Sequence, residues 1–257
     1  MLTIQPIPAF DDNYIWLVFD QQSRQAFVVD PGDAAPVEEA LQQLQLELAG
    51  ILITHHHFDH VGGLKQLKDN YEPVVFGPCN PGIEGLTQTL QAGDSIEVLG
   101  QSFDVLEVPG HTLDHIAYFH PGAEPLLFCG DTLFAGGCGR VFEGNPPMMH
   151  QSLQSLAALP LETRVYCAHE YTLANLAFAR AVEPDNADLA RRIAEAEASR
   201  ARNEPTVPSS LALELATNPF VRCTEPALLA ALRAQGRLEG NSGAEVFATV
   251  RGWKDNF

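Results

Sequence analysis

Lysine is scarce in this chain: Lys65, Lys68 and Lys254 are the only three, and the 15 basic residues face 33 acidic ones for a formal charge of −18. Phosphate backbones are held by basic faces, so this balance disfavours a nucleic-acid partner. Neither a Gly-x-Gly-x-x-Gly fingerprint nor a P-loop occurs, which removes the common glycine-rich phosphate cradles. No apolar run approaches the length needed to cross a bilayer. The opening segment Met1-Leu2-Thr3-Ile4-Gln5-Pro6 has no charged stretch leading into a long apolar one. A soluble, cytoplasmic protein with no membrane partner is expected. The five cysteines, Cys79, Cys129, Cys138, Cys167 and Cys223, are odd in number and show no C-x-x-C spacing, so disulfides are not expected. Cys129 and Cys167 lie in apolar runs and read as small core residues close to candidate ligands.

What the chain does have is a dense cluster of metal-binding side chains. After the apolar stretch Gly50-Ile51-Leu52-Ile53 comes Thr54-His55-His56-His57-Phe58-Asp59-His60, which reads as His-x-His-x-Asp-His leaving a strand end. Neutral imidazole and carboxylate are ligands that zinc and similar divalent ions take, and a turn after a strand can aim alternate side chains at one point. His55 and His57 then face one ion, with Asp59 and His60 placed for a second. An adventitious surface His-rich turn fits poorly between an apolar strand and Gly62-Gly63.

Two ions need more ligands, and the same arrangement recurs three times. His111 follows the alternating segment Phe103 to Val108, Asp131 ends Leu126-Leu127-Phe128-Cys129-Gly130, and His169 follows Arg164-Val165-Tyr166-Cys167-Ala168. Strand, tight turn and ligand is how α/β sheets present functional groups at one edge. Singly, each residue reads as an ordinary histidine or an N-cap; together they complete a set of seven. His56 points away if its neighbours point in, His115 reads as a neighbour of the ligands, and His120 and His150 as surface or turn residues.

These segments resemble the metallo-β-lactamase superfamily. Asp12-Asn13-Tyr14, Gly130-Asp131-Thr132-Leu133-Phe134, His169-Glu170-Tyr171-Thr172 and Ala216-Thr217-Asn218-Pro219-Phe220 narrow the resemblance to its glyoxalase II branch, the hydroxyacylglutathione hydrolases. The resemblance implies an α/β metallo-β-lactamase αββα sandwich over residues 1–170, followed by an all-α substrate-binding domain over 171–257. It also implies a binuclear thioester hydrolase acting as a monomer on a small glutathione thioester. Carried over by position, His55, His57 and His111 bind the first metal, Asp59, His60 and His169 the second, and Asp131 bridges both, the ions being zinc, with iron or manganese as alternatives. Asp59 and Asp131 are the catalytic carboxylates, Asp59 also orienting the nucleophile. Arg140, Phe142, Tyr171, Arg251 and Lys254 fall at glutathione-binding positions. Arg140 stands where a lysine is common, and Phe142 where some members have tyrosine, which removes one hydroxyl.

Several alternatives stay open on sequence grounds. Asp30, ending Val28-Val29-Asp30, is either an anchor for a ligand imidazole or a turn aspartate. Gly62-Gly63 is either a close backbone approach beneath the metals or a plain turn. Without the family match, Arg251 and Lys254 read as a solvated helix end. The competing functions are another activity of the same fold (lactonase, β-lactamase or persulfide dioxygenase) and a non-catalytic binding module. Periodicity predicts strands over 14–19, 26–30, 50–54, 73–76, 95–98 and 103–108. It predicts helices over 35–46, from about 60 to 68, and over 173–182, 187–203, 208–216, 226–235 and 244–251.

Overall fold

The computed structural model of the chain describes residues 2–238 and 240–257. It divides into two compact units: one runs to Glu107 and resumes over Asp114–Gly130, and the other comprises Val108–Leu113 and Asp131–Phe257.

The first unit is built on a sheet whose strands follow chain order: Thr3–Ala9, Asn13–Phe19, Gln25–Val29, Glu47–Leu52, Val74–Pro78 and Gln88–Leu90. The first three pair antiparallel and the later ones parallel, with helices crossing over after the third and fourth strands and a loop after the fifth. The sequence reading passes over Thr3–Ala9, where Pro6 and Pro8 argue against a strand; the segment is an edge strand, the one place a sheet tolerates proline. Helix Ala34–Leu44 starts at Asp33, whose carboxylate accepts from Ala35 N at 3.0 Å, and buries Ala34, Val37 and Leu41 at helical spacing. Those side chains join Ile15, Leu17, Val28, Ile51, Leu64 and Leu67 in one apolar core. Four antiparallel strands, Ser95–Val98, Gln101–Glu107, Ile116–His120 and Leu126–Gly130, complete this unit.

The helix expected from about 60 to 68 is two helices, Phe58–Val61 and Leu64–Tyr71. The break falls at Gly62-Gly63, where the chain lies against the Asp30–Asp33 turn: Gly63 N donates to Pro31 O at 2.9 Å, and a Cβ on Gly63 would meet Ala34 N at 2.5 Å. The glycine pair is a close backbone approach rather than a plain turn.

The second unit holds the helices Pro146–Ala157, Thr172–Val182, Ala187–Ala201, Leu211–Thr217, Pro226–Ala234 and Gly243–Lys254. Leu176 and Ala179 pack against Leu189, Ile193 and Ala196. Pro146–Ala157 is absent from the sequence reading although Asn145 caps it, accepting from Met148 N at 3.0 Å, with proline in its first turn. The expected start at Pro208 is early by three residues, because Ser209–Ser210 pairs with Arg164–Val165 and Ser210 then caps the helix. A short hairpin, Leu133–Phe134 against Gly137–Cys138, follows Asp131. No helix among the described residues is long and apolar enough to cross a membrane.

Candidate metal centre

In the first unit the histidine turn is held from three sides. Tyr118 Oη donates to Ile53 O at 2.8 Å, fixing the strand end, and burial pushes its phenol pKa well up, so it stays a donor. Asp30 accepts from Thr54 N and Thr54 Oγ1, each at 2.7 Å. It does so from a left-handed backbone (φ 54°), a region aspartate tolerates better than most residues. Its Oδ2 also lies 3.0 Å from His60 Nδ1, so Asp30 anchors an imidazole and is more than a turn residue.

The ring nitrogens are paired in a consistent way. His55 Nδ1 lies 3.0 Å from Thr54 Oγ1, and its Nε2 is 3.1 Å from His57 Nδ1. His60, with Nδ1 on Asp30, has Nε2 3.5 Å from Asp59 Oδ2, and Asn13 Nδ2 donates to that same oxygen at 3.0 Å. His56 turns to Asp114 Oδ1 at 2.9 Å, while Asn80 Nδ2 donates to Asp114 Oδ2 at 2.8 Å. His115 is fully buried and stacks on His55 with ring centroids 4.6 Å apart.

In the second unit, Asp131 is 7% exposed and its two oxygens face different histidines: Oδ2 lies 3.4 Å from His111 Nε2 and Oδ1 lies 3.3 Å from His169 Nε2. His111 Nδ1 sits 2.8 Å from Arg140 O; as a carbonyl only accepts, Nδ1 carries the proton and Nε2 presents its lone pair. The His169 ring stacks on Tyr171 (centroids 4.7 Å apart, 4° between planes), and Phe134 packs edge-on to both.

These distances bear on whether the donors suit a metal. Zinc–nitrogen bonds of about 2.0–2.1 Å put two ligand atoms of a tetrahedral ion roughly 3.3 Å apart. The contacts of 3.1, 3.5, 3.4 and 3.3 Å scatter about that value, and all four exceed the usual N–H···O mode of about 2.9–3.0 Å. His55, His57, Asp59 and His60 in one unit, and His111, Asp131 and His169 in the other, are thus donors of the kinds that divalent ions take.

The positions at the glutathione end of the sequence reading all lie in the second unit. Phe142 is 62% exposed and meets the His111 ring edge-on at 5.3 Å, and Arg140 is exposed. Arg251 is not part of a solvated helix end: it is 6% exposed, with Nη1 donating to Cys138 O at 3.2 Å and Nη2 to Asp255 Oδ1 at 2.8 Å. Lys254 is half-buried with its ammonium over the Phe178 ring; burial first, then the neighbouring cations Arg251 and Arg140, lower its pKa. His150, read from sequence as a surface or turn residue, lies on helix Pro146–Ala157 beside Phe247, and burial lowers its pKa. His120 ends a strand, 2.8 Å from Ser102 O. Sequence reasoning gave no role to Asn13, Thr54 or Tyr118; the only signal for Asn13 was its place in Asp12-Asn13-Tyr14.

Residues 9–169 match the family model described as the metallo-beta-lactamase superfamily, and residues 170–257 the model described as hydroxyacylglutathione hydrolase C-terminus. The hydroxyacylglutathione hydrolase of Pseudomonas aeruginosa is 54% identical over 258 residues, and that of Chromohalobacter salexigens 53% identical over 257, with 100% of both chains covered in each case. Among solved structures, ETHE1 from Myxococcus xanthus is similar with a TM-score of 0.66 at 25% identity, covering 99% of this chain and 98% of that one. TTHA1623, solved in a di-iron-bound form, has a TM-score of 0.61 at 25% identity, covering 84% of this chain and 99% of that one.

Proposed function

The chain belongs to the hydroxyacylglutathione hydrolases, with a metallo-beta-lactamase domain followed by that family's helical C-terminal domain, and on this premise we propose how its residues divide the work. It is a metal-site hydrolase that cleaves S-(2-hydroxyacyl)glutathione, such as S-D-lactoylglutathione, to glutathione and a 2-hydroxy acid, a methylglyoxal-detoxifying reaction. In our reading the chain acts as a cytoplasmic monomer. Residues 1–170 carry the metals and 171–257 serve the substrate. His55, His57 and His111 would hold one divalent ion and Asp59, His60 and His169 the other, zinc first, with iron or manganese as alternatives, and Asp131 would serve both. The observation that carries this reading is the aspartate whose two oxygens each face a different histidine.

When bound, two such ions activate a water near neutral pH and polarise the thioester carbonyl. The chain's own residues set the geometry. Arg140 O fixes which nitrogen of His111 is presented, Asp30 lies 3.0 Å from His60 Nδ1, Asn13 orients Asp59, and Tyr171 holds the His169 ring plane. A thiol of pKa about 8.5 leaves as its anion, so no separate acid is required. Cys138 and Cys167 are disfavoured as nucleophiles, because burial pushes the Cys138 thiol up to about 11 and Cys167 up to about 12, leaving both protonated.

With a net charge of −18, the chain does not steer an anionic substrate from a distance, so local cations must hold its carboxylates. Lys254 beside Arg140 is the primary candidate; Phe142 and Tyr171 supply apolar and stacking surface, and Arg251 supports the patch through Cys138 O. Lys254→Ala is expected to raise KM for S-D-lactoylglutathione about fivefold, roughly 1 kcal/mol for a charged hydrogen bond weakened by partial exposure. Metal content should not change, and added salt should narrow the gap. The lowered pKa adds a sign: the ammonium loses its proton at a lower pH than an ordinary lysine, so wild-type KM should climb on the alkaline side while that of Lys254→Ala stays flat. Steady-state kinetics across pH and ionic strength measure this, and an unchanged KM in the variant would return Lys254 to a packing role.

A further inference from the structure

We propose that Asn218, with Glu214, is a positioning residue that clamps the Leu133–Cys138 hairpin and thereby sets Asp131 and His111 for metal binding. The inference rests on the metal reading above and deepens it.

The hairpin has strands of two residues each, too short to hold itself by ladder bonds. Its residues are nonetheless buried, so their main-chain groups need partners. Side chains from three helices, and from Asn218 at the end of one of them, supply them at five consecutive positions. Asn218 Nδ2 donates to Phe134 O at 3.2 Å and to Gly137 O at 2.9 Å, and Asn175 Nδ2 donates to Ala135 O at 3.3 Å. Gly136 N donates to Glu214 Oε2 at 2.9 Å, and Arg251 Nη1 to Cys138 O at 3.2 Å.

The clamp is itself rigidly seated. Glu214 and Asn218 are 0% exposed. The Glu214 carboxylate is neutralised by Arg192 at 2.5 Å, and its Oε2 also accepts from Asn218 Nδ2 at 2.9 Å. Asn218 Oδ1 accepts from Phe220 N at 3.0 Å, which fixes which way its amide faces. The two amide hydrogens of Asn218 are shared among Phe134 O, Gly137 O and Glu214 Oε2, and a buried network of this kind is costly when half-satisfied.

What the clamp holds is bracketed by the site. Asp131 precedes the hairpin and Arg140 follows it. Arg140 O receives His111 Nδ1–H at 2.8 Å, and Gly139 N donates to Thr132 O at 3.2 Å. The closure is tight: a Cβ on Gly139 would sit 1.9 Å from Asp131 O. Displacing the hairpin therefore moves the carboxylate and the carbonyl that orients its neighbouring imidazole. Groups that hold metal ligands in place typically contribute ten- to a hundredfold in affinity.

The test uses the full chain, stripped of metal and titrated with cobalt(II), for wild type, Asn218→Ala and Asn175→Ala. Arg222→Ala is the control: it breaks contacts to Glu183 at 3.0 Å and to Leu215 O at 2.8 Å on the helix that carries Glu214, but makes no hydrogen bond to the hairpin itself. Chelator competition gives the affinity, the cobalt absorption bands report ligand geometry, and hydrogen exchange reads the amides of residues 132–140. Asn218→Ala should weaken cobalt binding about tenfold, alter the bands and speed exchange across the hairpin, whereas Arg222→Ala should leave all three at wild-type values. If Asn218→Ala does not fold, Asn175→Ala should show the same pattern at smaller size. Affinity within twofold of wild type with unchanged bands would overturn the clamp alone, as would equal weakening in Arg222→Ala. A wild-type chain that takes up no cobalt would instead overturn the metal reading and the clamp with it.

Discussion

Asp131→Ala is expected to lose nearly all thioesterase activity, by about 10³-fold or more in kcat/KM. Several kcal/mol of transition-state stabilisation come from ions that this carboxylate would hold together, and each 1.4 kcal/mol is about tenfold. Its two oxygens face His111 and His169 at 3.4 and 3.3 Å, so its removal should weaken both sites rather than one. His56→Ala is the counterpart. That ring is committed to Asp114 at 2.9 Å, and its loss should change turnover by roughly twofold or less, as for a substitution away from the chemistry. Parallel kinetics and elemental analysis measure the contrast; equal losses in the two variants would refute the assignment.

Removing everything after residue 170 should have an effect of similar size for a different reason. The hairpin beside Asp131 is held by Asn175, Glu214, Asn218 and Arg251, all of which lie beyond that point. Helix Pro146–Ala157, which precedes the cut, packs on Gly243–Lys254, which follows it. The fragment should expose that apolar surface and aggregate, and any soluble fraction should fall at least about a hundredfold in kcat/KM, as expected when ligands shift by about an ångström. Size-exclusion chromatography followed by turnover with S-D-lactoylglutathione measures both. A soluble fragment with wild-type kcat/KM would show that the helical part is dispensable.

Legibility from sequence followed the range of the interaction. The His55 to His60 run could be read because its members are neighbours in the chain and a strand end fixes their directions. Ser95–Val98 and the helices from Thr172 onward were visible because periodicity is local. The strand Thr3–Ala9 was hidden by Pro6 and Pro8, since only its edge position makes them tolerable. Asp30 could not be told from a turn aspartate, because what distinguishes it is a contact with His60, thirty residues away. Arg251 looked solvated for the same reason: its partner, Cys138 O, is 113 residues distant. The hairpin clamp left one trace, Asn218 within Ala216-Thr217-Asn218-Pro219-Phe220, but its role was unreadable, as Asn175 and Glu214 are ordinary helix residues until the main chain they support is placed beside them.

The most direct measurement is the metal content of the chain titrated against its activity. Metal-free protein is given graded amounts of zinc, and bound metal and hydrolysis of S-D-lactoylglutathione are followed on the same samples. Seven donors with a bridging Asp131 predict full activity only as bound metal approaches two ions per chain. Full activity reached and held at one tightly bound ion per chain would contradict the account.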